Sequence, residues 1–113
     1  MLSIVVPTLN EATGIAAALA RLAPLRRRGA EVIVADGGSE DGTVAIAGPY
    51  ADRVVVAPRG RASQMNAGAR CASGDVLLFL HADTILPDQA DELIAVMLAD
   101  PRCLWGRFDV RIE

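Results

Sequence analysis

Four apolar runs in this chain each end abruptly in groups that can bind or do chemistry. Val76–Leu80 gives way to His81, Ala82, Asp83 and Thr84. A carboxylate at the end of a buried strand is costly unless something pairs with it. Asp83 can hold Mg²⁺ or Mn²⁺, hard cations that take few protein ligands and keep the rest of their shell for water and phosphate oxygens. His81 is either a second ligand or a structural histidine. Asp36 opens the turn Gly37-Gly38-Ser39, where glycine allows a ligand close to the backbone. There Asp36 either accepts hydrogen bonds from a ribose or base, or holds the turn by accepting backbone N–H groups. Arg61 follows Gly60 at the start of a predicted helix, where guanidinium and helix N-terminus both favour a phosphate; otherwise it is an ordinary exposed arginine. Gln64 and Asn66 lie further along that helix, facing either a ligand or solvent. Thr8, Asn10 and Glu11 follow the first run, and Asn10 has the alternative of capping the next helix.

These residues need elements to hold them. Residues 2–8 read as a β-branched strand stopped at Pro7, 30–36 as a second strand, 52–58 as a third and 75–80 as a fourth, buried on both faces. Between them, 10–28 has helical spacing at Ile15, Leu19 and Leu22, with Pro24 kinking or ending it. A short helix over 43–47 is capped by Asp41 or Ser39. Residues 61–73 form a thin, alanine- and glycine-rich helix with Gly74 as its C-cap. Residues 87–100 form a helix with Pro87 near its first turn and Leu93, Ile94, Met97 and Leu98 inward. Residues 107–113 alternate as a half-exposed edge strand. Alternating strands and helices predict a three-layer α/β, Rossmann-like fold with a mostly parallel sheet. In such sheets ligands bind beyond the carboxyl ends of the strands. All four polar clusters fall on that rim.

Composition narrows the classes. The chain has 113 residues, 52% hydrophobic and 22% charged, enough for one globular domain. A net charge of −3 argues against nucleic acid as a partner. Cys71 and Cys103 lack the paired spacing of a zinc site and read as buried thiols in a reducing cytoplasm. No apolar run approaches the roughly 18 residues of a membrane span. The N-terminus lacks the basic start of a signal peptide and reads as part of the mature fold. Arg26-Arg27-Arg28 reads first as a solvated helix end and second as a peripheral contact with an anionic membrane.

"VVPTLNE" at 5–11, "VADGGSEDGT" at 34–43, "GRASQMNAGA" at 60–69 and "LFLHADT" at 78–84, in this order, resemble the N-terminal half of a family 2 glycosyltransferase of the GT-A fold. "GRASQMNAGA" with "HADT" also resembles a bacterial subgroup of arsenosugar-biosynthesis or radical-SAM-associated transferases. The resemblance implies a nucleotide-sugar donor and transfer, with inversion, to an acceptor that the sequence does not identify. It implies that Pro7, Thr8, Asn10 and Glu11 line the nucleoside pocket. Asp36 with Gly37 and Gly38 would meet the base or ribose. Arg61, Gln64 and Asn66 would lie near the diphosphate. "HAD" stands where the family carries Asp-x-Asp, which implies Asp83 as the retained carboxylate, Ala82 against the donor and His81 in place of the first Asp.

Family members continue past this length into an acceptor site and an acidic general base, so residues 1–113 are expected to be the nucleotide-sugar-binding domain of a longer protein. Asp88, Asp91, Glu92 and Asp100 read as the solvated face of the last helix and not as that base. A binding or assembly module without catalysis is the competing reading. A nucleotidyltransferase is disfavoured because "PTLNEATG" is not the glycine-rich arginine loop that follows the first strand in that class. The apolar edge at 107–113 predicts a homodimer.

Overall fold

The computed structural model describes residues 1–87, 89–99 and 111–112. Strands β1 (Leu2–Thr8), β2 (Glu31–Asp36), β3 (Arg53–Val56) and β4 (Val76–Phe79) form one parallel sheet in the order β3-β2-β1-β4. Helices α1 (Ile15–Ala20) and α2 (Ala23–Arg27) join β1 to β2. Helix α3 (Thr43–Ala47) and a 3₁₀ turn (Gly48–Tyr50) join β2 to β3. Helix α4 (Arg61–Cys71) joins β3 to β4, and α5 (Ala90–Leu98) follows. A minor antiparallel pair joins β5 (Thr84–Ile85) to β6 (Arg111–Ile112). This is the three-layer α/β architecture expected from the alternation of elements.

The period of two along each strand sorts side chains between the layers. Ile4 and Val6 of β1 and Val32 and Val34 of β2 are buried with Ile15, Leu19, Leu22 and Leu25. Helix α4 covers the other face, against β1, β2 and β3. Its thinness has a steric cause: a Cβ on Gly68 would lie 2.3 Å from Val5 Cγ1.

Several expectations need correction. The first helix begins at Ile15, not at residue 10, and breaks into two at Arg21 and Leu22, with Pro24 in the first turn of α2. Strand β4 is not buried on both faces: Leu77 and Phe79 are 41% and 40% exposed. It is the outer strand of the described sheet, and α4 packs over its neighbours. Gly74 is not the C-cap of α4, which ends at Ala72 in extended geometry. Gly74 is instead required where the chain passes β1: its N–H bonds Ser3 Oγ at 2.9 Å, and a Cβ there would lie 2.5 Å from the Met1 carbonyl. Leu93 is exposed, while Ile94 and Leu98 are half-buried. Asp88, Asp100, Cys103 and the side chain of Met97 lie outside the described residues, as does the predicted dimer strand apart from 111–112.

The arginine run is tied down by carboxylates. Arg26 donates to both oxygens of Asp52, at 3.2 and 2.9 Å, and Arg28 to both of Asp91, at 2.8 and 2.9 Å. Such exposed pairs stabilise little, but they reduce the charge the run could offer an anionic surface. Among the described residues no helix is long and apolar enough to cross a membrane.

The Gly68 contact predicts that Gly68→Ala lowers unfolding free energy by about 1–3 kcal/mol, the usual cost of overpacking. Urea denaturation measures it; an unchanged midpoint would mean that α4 is free to move off Val5.

Candidate functional site

Sheet order places β2 and β3 on one side of β1 and β4 on the other. The chain therefore reverses direction between β1 and β4, and the crevice beyond their carboxyl ends is where open α/β sheets bind ligands.

The β1 and β2 loops are stitched together around one carboxylate. Asp36 is 1% exposed. Its Oδ1 accepts hydrogen bonds from Thr8 Oγ1 at 2.7 Å and Ser39 Oγ at 2.6 Å. Its Oδ2 accepts from the Gly38 and Ser39 N–H groups at 3.0 and 2.7 Å. Burial pushes its pKa upward, but the bonds from Ser39, Thr8 and Gly38 outweigh burial and hold it below the ordinary carboxylate range. Of the two roles considered for Asp36, the turn-holding one is what the geometry displays. Direct contact with a nucleoside would require one of these donors to move.

The seam continues outward. The Asn10 N–H donates to Ser39 Oγ at 2.8 Å, and Asn10 Oδ1 accepts from the Glu40 N–H at 2.9 Å. Asn10 does not cap α1, whose N-cap is Gly14; it holds a left-handed φ of 52°, which asparagine tolerates. The Glu11 N–H donates to Thr43 Oγ1 at 2.8 Å, and the Ala12 N–H to Asp41 Oδ2 at 3.1 Å. Asp41 Oδ1 also takes the Thr43 N–H at 3.0 Å, but the N-cap of α3 is Gly42, with no side-chain cap bond, so neither Asp41 nor Ser39 caps the helix as expected. The part that Asp41 and Thr43 play between loops escapes sequence reading because "EDGT" looks complete as a local cap.

Gln64 is buried, not solvent-facing. Its amide nitrogen donates to the carbonyls of Thr8 and Ala35, at 2.8 and 2.9 Å, and its Oε1 accepts the Gly60 N–H at 3.2 Å. Gln64 thus clamps α4 across the ends of β1 and β2. Gly37 is needed beneath it, since a Cβ there would lie 2.7 Å from Gln64 Oε1. Gly38 takes a φ of +89° at the exposed tip of the turn. Asn66 is exposed and lines an open hollow with Arg61, Ala62, Met65 and Phe79.

The β4 end completes the rim. Arg61 Nη2 lies 2.5 Å from His81 Nε2. These two line a small recess with Pro7, Met65, Phe79 and Leu80. Ala82 packs toward the core. Asp83 is exposed and makes no hydrogen bond among the described residues. Glu11 is half-buried, and its pKa is raised, chiefly by burial, next by repulsion from Asp83 and less by Asp41, with His81 acting in the opposite sense. The Asp83 charge therefore adds to burial in disfavouring ionisation of Glu11. Contacts join Arg61 to His81, Asn10 to the Asp36 turn through Ser39, and Glu11 to Thr43, all beyond the carboxyl ends of the parallel strands.

Among the described residues no three His, Cys, Asp or Glu form a ready-made metal cluster. The set fits a cation that takes one or two carboxylates and draws its other ligands from phosphate and water.

A parallel four-stranded sheet in the order β3-β2-β1-β4, with helices on both faces, is the fold of the GT-A glycosyltransferases. The chain belongs to glycosyl transferase family 2, whose sequence profile matches residues 3–113. It is 38% identical over 103 residues to a PGL/p-HBAD biosynthesis glycosyltransferase of Mycobacterium bovis, a match covering 85% of this chain and 40% of that protein. The mannosyltransferase PcManGT of Pyrobaculum calidifontis, solved with GDP-Man and Mn²⁺, is similar at 30% identity and a TM-score of 0.73, over 88% of this chain and 32% of that one. Glucosyl-3-phosphoglycerate synthase of Mycobacterium tuberculosis, solved with Mn²⁺, UDP and phosphoglyceric acid, is similar at 27% identity and a TM-score of 0.70, over 92% of this chain and 39% of that one. The chain spans about 40% of the length of the curated relatives it matches.

The raised pKa of Glu11 sets a pH test. Its folded carboxyl holds the proton more tightly than the unfolded one, so ionisation costs stability as pH rises past the ordinary value of 4.5. Glu11→Gln is expected to melt higher than the parent near neutral pH, with the gap closing below that value. A gap that instead widens in acid would show that the folded chain stabilises the Glu11 carboxylate, contrary to the raised pKa.

Proposed function

We propose that this chain binds the nucleotide-diphosphate-sugar donor of a glycosyl transfer reaction in the crevice beyond β1 and β4. The observation that carries this is chain order on the sheet: the Asp36-held turn, Glu11, Arg61 with His81, and Asp83 each follow the carboxyl end of a parallel strand, with the strand order reversing between β1 and β4. The relatives solved with UDP or GDP-Man and Mn²⁺ support it.

In this reading Thr8, Asn10 and the Gly37–Gly38 turn shape the nucleoside end, and the stitched loops keep it preorganised. Arg61 meets the diphosphate. Asp83 would hold Mg²⁺ or Mn²⁺, which when bound offsets the charge of the leaving diphosphate. The acceptor hydroxyl oxygen attacks the anomeric carbon with inversion, the nucleoside diphosphate leaves with the electron pair of the broken C–O bond, and the hydroxyl proton passes to a general base. We assign no general base: Asp91 is tied to Arg28, Glu92 is exposed, and Asp88 and Asp100 lie outside the described residues. The narrower arsenosugar or radical-SAM-associated reading rests on the "GRASQMNAGA" and "HADT" motifs alone.

Titration calorimetry with UDP and GDP, with and without Mn²⁺, tests the proposal. At least one nucleotide is expected to bind, more tightly with the cation. Asp83→Ala is expected to abolish the Mn²⁺ enhancement while leaving the melting temperature within a few degrees, because the side chain is exposed. Enhancement that survives the substitution would remove Asp83 from the site.

A further inference from the structure

His81 occupies the position where a metal ligand was expected, yet its contact points elsewhere. A guanidinium has only N–H donors. With Arg61 Nη2 at 2.5 Å, His81 Nε2 must therefore be the acceptor, leaving the ring proton on Nδ1. The lone pair that could have bound a cation is directed at arginine. Arg61 itself is fixed at its root. Gly60 takes a φ of +144°, its N–H is held by Gln64 Oε1, and Ser63 Oγ bonds the carbonyls of Pro58 and Gly60. Pro7 and Leu80, from the two strands flanking the switch point, line the same recess as the pair.

We propose that His81 is a positioning residue for Arg61 and not a metal ligand, and that the guanidinium it holds supplies the positive charge a single-carboxylate cation site lacks at the diphosphate. This rests on the nucleotide reading above. It assigns the family's altered Asp-x-Asp a different division of labour: Asp83 serves the cation, and His81 serves the arginine. The Arg61 N–H groups not given to His81 have no partner among the described residues and remain for phosphate oxygens. Nucleotide binding should consequently keep a metal-independent part that depends on both residues.

His81 is the only histidine in the chain, so its imidazole nitrogens can be read unambiguously by long-range ¹H–¹⁵N NMR. At a pH where free imidazole is neutral, the unliganded chain is expected to show the Nδ1–H tautomer. Arg61→Gln should relax it to the mixture of a free ring. UDP and GDP are then titrated with EDTA or with Mn²⁺. His81→Ala should weaken metal-free binding about tenfold, as for one lost hydrogen bond to a charged group. Arg61→Gln should weaken it at least as much. His81→Gln, whose amide oxygen can accept from the guanidinium, should recover most of the loss. The Mn²⁺ enhancement should be the same in all of them. An Nε2–H tautomer would overturn the proposal, as would a His81→Ala protein that keeps metal-free affinity but loses the Mn²⁺ enhancement. If neither nucleotide binds the parent chain while the Nδ1–H tautomer is present, the nucleotide reading fails and takes the role of the pair with it. The hydrogen bond alone would then stand.

Discussion

The site hangs on the buried carboxylate of Asp36. Four donors from two loops converge on it, and the buried Thr8 hydroxyl would be left unsatisfied without it. The β1–β2 register places Thr8 directly opposite Asp36, so a bond between neighbouring strands becomes the anchor for both loops. From that anchor Ser39 passes the constraint to Asn10, and Asp41 and Thr43 pass it to Ala12 and Glu11. Gln64 locks the same strand ends from the opposite layer. A crevice built in this way is ordered before any ligand arrives, which lowers the entropy that binding must overcome.

The second constraint is electrostatic. Placing Glu11 and Asp83 near each other, with burial already raising the Glu11 pKa, builds a local cost into the empty fold. A divalent cation would relieve that cost, and the His81 charge already acts in that sense on Glu11. Strain of this kind is common at functional sites, where stability is given up for complementarity to a charged ligand. The opposite rim shows the contrast: there Glu31 is satisfied by Ser3 and Ser73, and its pKa is lowered.

Much of this was legible from residue order. The apolar runs of β1 and β2 and the Ile15, Leu19 and Leu22 spacing fixed the layers, because period and burial are local properties. The polar strand ends identified the rim. Partners were not legible where they depend on layers meeting. Gln64 looked like a residue facing a ligand or solvent, because only the packing of α4 over β1 and β2 brings two backbone carbonyls within its reach. Leu77 and Phe79 looked buried because an apolar strand does not reveal that its covering helix lies over its neighbours. His81 two residues before Asp83 suggested shared ligation, but the contact His81 makes is with Arg61, from the start of α4, and sequence order does not show that helix end meeting the β4 end.

A crystal of the chain soaked with a nucleoside diphosphate and Mn²⁺ tests the central claim most directly. The account predicts the diphosphate beyond the carboxyl ends of β1 and β4, with the cation on Asp83 and the Arg61 guanidinium on a phosphate oxygen. Ligand density at the opposite rim instead, in the hollow lined by Met1, Arg28, Val76 and Ile94, would contradict it.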